Sequence, residues 1–262
     1  MREFTAEYLE ATREGMWDDS RAALSPLDLD ARQRVLDVGC GTGELTRVLR
    51  EETPGTVVGV DADRSLLAYV DPPTVQADAT RLPFVDDAVD LVVCQALLIN
   101  LPDPEAALAE FARVASGLVA AIEPDNAAVS VDSTVESEVP LARRARRCYL
   151  DGVDTDVALG ANAREHFEAA GLSDLTTSRY DHERTVAPPY SERDLEDAKR
   201  KASGAGLADD RATILAGATT PEEYDRLRTE WREMGRTVVA QMQSGEYRRT
   251  ETVPFYVTVG RV

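Results

Sequence analysis

Lysine is almost absent. Only Lys199 and Lys201 occur in 262 residues, and the 29 basic residues face 48 acidic ones, a net charge of -19. A protein that binds nucleic acid by neutralising phosphates needs a basic surface. This chain repels polyanions and anionic membranes, which argues against both as partners. Cysteine is also scarce. Cys40, Cys94 and Cys148 are odd in number, widely spaced and form no CxxC pair, so neither a zinc site nor a disulfide framework is indicated. No stretch reaches the roughly 20 apolar residues that span a bilayer. The first residues, Met1-Arg2-Glu3-Phe4-Thr5, lack the apolar core of a signal peptide. These absences together predict a soluble, cytoplasmic protein without a resident metal. There is no internal repeat and no low-complexity linker.

What is present is enough for a core. Hydrophobic residues make up 43%, which argues against disorder, and the length suits one large domain or one domain with an elaboration. Many acids, abundant arginine and almost no lysine resemble the composition of proteins adapted to a salty cytoplasm. An acidic protein from a GC-rich genome is the alternative.

Apolar runs alternate with helical stripes through the first half. Residues 5–17 predict an amphipathic helix from Tyr8, Leu9, Thr12, Met16 and Trp17. Strands are expected at Val35–Val38, Thr56–Val60, Val75–Ala77, Val89–Cys94 and Leu118–Ile122, with helices between them. Asp103-Pro104 opens one helix as N-cap and first residue. Strands alternating with helices call for a mostly parallel sheet covered on both faces, a doubly wound α/β fold. After residue 125 the rhythm loosens. A helix is expected near 140–150, and a capping box at Asn162–Glu165 opens another that ends before Gly171. A sixth strand follows at 174–184, then a helical block at 186–250 with a second capping box at Thr220–Glu223, and a last strand at 252–260. The expected division is a cap helix over 1–29, an α/β core over 30–185, a helical lid over 186–250 and a final strand over 251–262.

The informative segment is Val35-Leu36-Asp37-Val38-Gly39-Cys40-Gly41-Thr42-Gly43-Glu44-Leu45. A strand ends, glycines turn the chain and a helix begins. Dinucleotide sites use G-x-G-x-x-G at this place, with pyrophosphate on the helix N-terminus. Here the spacing is G-x-G-x-G, and Glu44 stands where the third small residue belongs. A carboxylate there opposes a diphosphate and favours a cationic or zwitterionic ligand.

This segment resembles the first motif of class I S-adenosylmethionine-dependent methyltransferases, and further matches follow in order. Val58-Gly59-Val60-Asp61 puts an acid about 20 residues on, where such enzymes hold the ribose hydroxyls. Ala77-Asp78-Ala79 before Leu82-Pro83-Phe84 resembles the third motif, whose acid meets the adenine amino group. Asp90–Gln95 resembles the fourth strand, whose end faces the methionine part. Leu101-Pro102-Asp103-Pro104 is similar to a segment of the ubiquinone and menaquinone methyltransferases. The resemblance is close over 30–125 and loose over 126–184. It implies a seven-stranded sheet and S-adenosylmethionine as cofactor, leaving S-adenosylhomocysteine. It also implies a binding set of Asp37, Gly39, Gly41, Asp61, Ala62, Asp78, Ala79 and Gln95, and a small-molecule methyl acceptor. One departure is Ile99-Asn100, where many relatives carry histidines, so no catalytic histidine is implied.

Other features are ambiguous. Asp71-Pro72-Pro73-Thr74 and Ala187-Pro188-Pro189-Tyr190 imitate nucleic-acid amino-methyltransferase motifs but read as turns. Arg143, Arg144, Arg146 and Arg147 read as a solvated helix face or a clamp for an anionic group. His166 and His182 read as structural before catalytic. Glu123 and Asp125 are candidates for a base but read first as loop acids. Arg13, Met16 and Trp17 lie on the first helix, which in such enzymes often covers the cofactor. The alternative functions are RNA or protein methylation and cofactor-binding regulation without catalysis.

Overall fold

The computed structural model describes residues 5–13, 15–17 and 20–262. Residues 1–4 and the Tyr8 side chain, both used above, lie outside the described residues. The elements in chain order are α1 (Ala6–Arg13), β1 (Arg34–Val38), α2 (Glu44–Glu52), β2 (Thr56–Asp61), α3 (Arg64–Leu67) and β3 (Thr74–Gln76). Then come β4 (Val89–Gln95), α4 (Pro104–Val114), β5 (Ala115–Pro124), β6 (Ser130–Ser133), α5 (Glu138–Asp151) and α6 (Ala163–Ala169). The chain ends with β7 (Ser173–Val186), α7 (Glu192–Ser203), α8 (Ala205–Asp209), α9 (Arg211–Ala216), α10 (Pro221–Ser244) and β8 (Arg249–Arg261).

The chain divides into two units. The first, here the sheet unit, comprises Met1–Asn126, Ala158–His182 and Pro254–Val262. The second, the helical unit, comprises Ala127–Val157 and Glu183–Val253.

In the sheet unit, β3, β2, β1, β4 and β5 lie side by side and parallel. The Pro254–Arg261 part of β8 runs antiparallel to β5, and β7 pairs with β8. The central strands are buried on both faces, as their unbroken apolar runs require. Leu108, Phe111 and Val114 of α4 complete the core with Leu36, Val92 and Val119. Each such side chain contributes roughly 1.5–3 kcal/mol by burial. The Asp103 carboxylate caps α4 by accepting from the Ala106 N–H at 3.0 Å.

The helical unit has its own core. Tyr224, Leu227, Met234, Val238 and Met242 of α10 pack with Leu141 and Ala145 of α5, Ala198 of α7 and Ile214 of α9. The capping box at Thr220 and Glu223 forms as expected, and Gly245 ends α10 in the left-handed region. β6 pairs with residues 249–252 of β8.

Four expectations need correction. The described residues hold eight strands, not seven, because the polar segment Ser130–Ser133 finds a partner in the start of β8. The helical unit takes in 127–157 as well as the 186–250 block, because the apolar side of α5 belongs to the core of α10. α1 ends at Arg13 rather than running to residue 17; Gly15 at φ +70° breaks the helix. The Asn162 capping box does not form. A 3-10 turn at Gly160–Asn162 leads straight into α6, so Asn162 is already helical and its side chain caps nothing.

Candidate cofactor site

Register fixes the site. Val38 stands opposite Val60 on one side and Cys94 on the other. The residues that follow, the glycine loop, Asp61 and Gln95, therefore emerge together at the carboxyl ends of β1, β2 and β4. Ligands bind there in open α/β sheets.

The loop is tied down by its backbone. The N–H groups of Gly39 and Cys40 both donate to the Val60 carbonyl, at 2.7 and 3.0 Å. The Gly41 N–H donates to Asp61 Oδ2 at 2.8 Å. Gly39 and Gly41 have φ of +72° and +54°, which disfavours any side chain. Space is tight as well. A Cβ on Gly39 would lie 2.9 Å from Leu97 Cδ1, and one on Gly41 would lie 3.0 Å from Leu9 Cδ1 and 3.3 Å from Arg13 Nη1. Thus α1 lies directly against the glycine loop.

Each expected site residue has a definite place. Asp37 is 1% exposed, and its Oδ2 accepts from the Thr46 hydroxyl at 2.5 Å, tying β1 to α2. Burial pushes its pKa up to about 6, against the Thr46 hydrogen bond and the Arg13 charge. Asp61 accepts from Gly41 through Oδ2 and from the Asp63 N–H at 2.9 Å through Oδ1. Ala62 is exposed, and its carbonyl accepts from Gln76 Nε2 at 3.0 Å. Asp78 is exposed, and its Oδ1 takes both the backbone N–H and the hydroxyl of Thr80, at 2.8 and 2.7 Å. Those bonds hold its pKa below the usual value. Ala79 beside it is buried. The Ala77 N–H donates to the Asp61 carbonyl at 3.0 Å, which brings the Asp78 turn to the same end of the sheet. Gln95 is 2% exposed; its Nε2 lies 2.8 Å from Met16 Sδ, and its Oε1 has no hydrogen-bond partner among the described residues.

Arg13 joins this group. Its Nη2 donates to the Gln95 carbonyl over a long 3.5 Å. Burial lowers its pKa, while Asp37, Asp61 and Glu44 oppose that shift. The sequence placed Arg13 on the cap helix without giving it a partner.

Glu123 departs most from expectation. It is no loop acid: it lies within β5, is 0% exposed, and accepts the N–H groups of Leu97 and Leu98 at 3.1 and 2.9 Å through Oε1 and that of Ile99 at 3.4 Å through Oε2. Burial outweighs these bonds and pushes its pKa up to about 7. It clamps the turn after β4, whose first residue, Ala96, is held at φ +48°. A signal did exist: an acid directly after the apolar run of a central strand.

The remaining candidates lie elsewhere. His166 sits on α6 with Nδ1 3.3 Å from Glu105. His182 is buried on β7. Within the helical unit, Arg144 pairs with Glu230 at 2.7 Å and Arg146 with Glu251 at 3.3 Å. Those two arginines are spent on neighbouring acids, as a helix face predicts. Both Pro-Pro strings lie in bends. No helix among the described residues is long and apolar enough to cross a membrane.

Residues 36–118 match the family described as a methyltransferase domain. A demethylmenaquinone methyltransferase of Mycolicibacterium paratuberculosis is 32% identical over 161 residues, which is 59% of this chain and 70% of that protein. The methyltransferase GfsG of Streptomyces halstedii is 33% identical over 99 residues, 34% of this chain. The chain spans 36% of that relative's length. Among solved structures, an S-adenosylmethionine-dependent methyltransferase of Archaeoglobus fulgidus has the same fold, with a TM-score of 0.51 at 14% identity over 97% of this chain and 98% of that one.

Proposed function

We propose that this chain, which belongs to the S-adenosylmethionine-dependent methyltransferase family, transfers a methyl group from S-adenosylmethionine to a small molecule and releases S-adenosylhomocysteine. The observation that carries this reading is the meeting of Arg13, Gly41, Asp61 and Gln95 at one end of the sheet. Their chemistry suits that zwitterionic ligand. The Arg13 guanidinium is a donor for the methionine carboxylate, and the unpartnered Gln95 Oε1 is an acceptor for its ammonium. Asp61 keeps lone pairs beyond its two backbone bonds, which suit the ribose hydroxyls. Asp78 is the acceptor for the adenine amino group, and Ala62 and Ala79 leave room for the flat base. The acids Asp37, Asp61 and Glu44 favour a positive sulfonium and oppose a diphosphate.

The bound cofactor would supply a methyl group already electrophilic on its sulfonium. The chain's own contribution is then alignment of donor and acceptor. A net charge of -19 supports a small acceptor over RNA.

Calorimetric titration tests this. Wild-type protein should bind S-adenosylmethionine, and Asp61→Ala should weaken it by about 2–3 kcal/mol, roughly 30- to 150-fold. Tight binding of NAD with none of S-adenosylmethionine would overturn the reading. Screening metabolites with a labelled methyl donor would then identify the acceptor.

A further inference from the structure

The arginine cluster of α5 leaves one member facing a cavity. Arg144 and Arg146 hold acids, but Arg147 has no hydrogen-bond or ion-pair partner among the described residues. With 48 acids to 29 bases in the chain, position rather than supply leaves it unpaired. Arg147 lines a groove of about 590 Å³ between α5 and α10. The groove lies wholly within the helical unit, and none of its lining residues belongs to the cofactor site.

Helical spacing builds the groove. Pro140, Leu141, Arg144 and Arg147 share one face of α5, and Glu230, Glu233 and Met234 share one face of α10. Leu141 and Met234 are buried and form an apolar floor. The Arg144 guanidinium donates to Glu230 across it at 2.7 Å. The Glu233 carboxylate, like Arg147, has no partner among the described residues. The two helices run antiparallel: Thr134, just before α5, donates to Gln241, whereas Arg144 meets Glu230. From the Arg144–Glu230 level, Arg147 lies three residues toward one end and Glu233 three residues toward the other. At 1.5 Å per residue the two are separated by roughly 9 Å along the helices, and packed axes lie roughly 8–10 Å apart. The diagonal is then roughly 12–13 Å. An unpaired cation and an unpaired anion therefore bracket the apolar floor from opposite ends.

We infer that this groove is a second small-molecule site, and that it takes a linear zwitterion: a carboxylate on Arg147, an ammonium on Glu233 and an apolar chain across Leu141 and Met234. An extended six-carbon amino acid with a hydrogen bond of about 2.8 Å at each end spans that diagonal. Both charges are exposed, so binding is weak, on the order of millimolar, and falls with salt. The site stands apart from the proposed function and does not depend on it.

Nuclear magnetic resonance on the full chain in low salt tests it, with 6-aminohexanoate as the probe. Amide resonances of α5 and α10 should shift saturably at probe concentrations on the order of millimolar. Hexanoate and hexylamine each lack one charged end, and glycine lacks the span. Each should bind roughly tenfold more weakly. Arg147→Gln should weaken 6-aminohexanoate roughly tenfold and spare hexylamine, and Glu233→Gln should weaken it as much and spare hexanoate. Both positions are exposed, so neither change threatens the fold. Absence of saturable shifts in α5 and α10 up to about 50 mM probe would overturn the site. So would glycine binding as well as 6-aminohexanoate, or unchanged 6-aminohexanoate affinity in either variant.

Discussion

The two units treat their buried acids in opposite ways. In the helical unit, Glu138 is 1% exposed and accepts from Lys201 Nζ at 2.5 Å, Ser133 Oγ at 2.6 Å and the Tyr247 hydroxyl at 2.9 Å, with Arg249 Nε at ion-pair distance, 3.3 Å. Burial pushes its pKa up, but Lys201, Ser133 and Arg249 outweigh that and hold it below the usual value. Glu251 is likewise held down, chiefly by Arg249, which reaches it at 2.6 Å, with Arg146 and Arg184 beyond. In the sheet unit, Asp37 and Glu123 are equally buried but accept hydrogen bonds from neutral donors: a hydroxyl, the Cys94 thiol and backbone N–H groups. Their pKa values rise. Compensated charge marks a scaffold. Uncompensated charge beside a glycine loop marks a place where a ligand completes the electrostatics.

The largest effect expected is at the compensated site. Glu138→Ala leaves Lys201 buried without the acid that pairs with it, while Arg249 keeps Glu251. Breaking a buried pair in this way costs about 3–5 kcal/mol, and chemical unfolding should show it. A loss under 1 kcal/mol would mean that the network contributes little. The next effect is a pH dependence confined to the sheet unit's acids. Glu123 ionises near 4.5 when unfolded and near 7 when folded. Folding favours its neutral form. That contribution is complete below about pH 4.5 and is lost as the pH rises to about 7, a change of about 3 kcal/mol. Asp37 acts in the same sense between 3.8 and about 6. Glu123→Gln should remove the Glu123 part of the slope in unfolding measured from pH 4.5 to 8. An identical slope would show that Glu123 is ionised throughout.

The smallest effect concerns the whole surface. At a net charge of -19 the folded chain repels itself. Raising KCl from 0.05 to 2 M screens that repulsion, and individual surface pairs are worth only about 0–1 kcal/mol each. Stability should rise by on the order of 1 kcal/mol, or roughly 2–4 °C in melting temperature. A flat or falling melting temperature would leave an acidic composition without salt adaptation.

Much of the sheet unit was legible because its signals are local. A strand that ends in Gly39-Cys40-Gly41 and a helix that starts at Glu44 define the loop without reference to the rest of the chain. Asp61 and Gln95 follow from strand ends in register. What was not legible depends on partners distant in sequence. The polar Ser130–Ser133 becomes a strand only because Arg249–Thr252 pairs with it. α5 joins the helical unit through contacts with α10, about 90 residues on. Glu123 looked like a loop acid because its partners, the backbone N–H groups of 97–99, carry no side-chain signature. Asn162 failed as a cap because the turn before it was already helical.

The contrast between the units is tested most directly by measuring S-adenosylhomocysteine affinity of Asp61→Ala and Glu138→Ala side by side, at a temperature where both are folded. If the sheet unit holds the cofactor and the Glu138 network is scaffold, Asp61→Ala loses roughly 30- to 150-fold in affinity, while Glu138→Ala binds as wild type does despite its lower melting temperature. Wild-type affinity in Asp61→Ala, or a comparable loss in folded Glu138→Ala, would contradict that division.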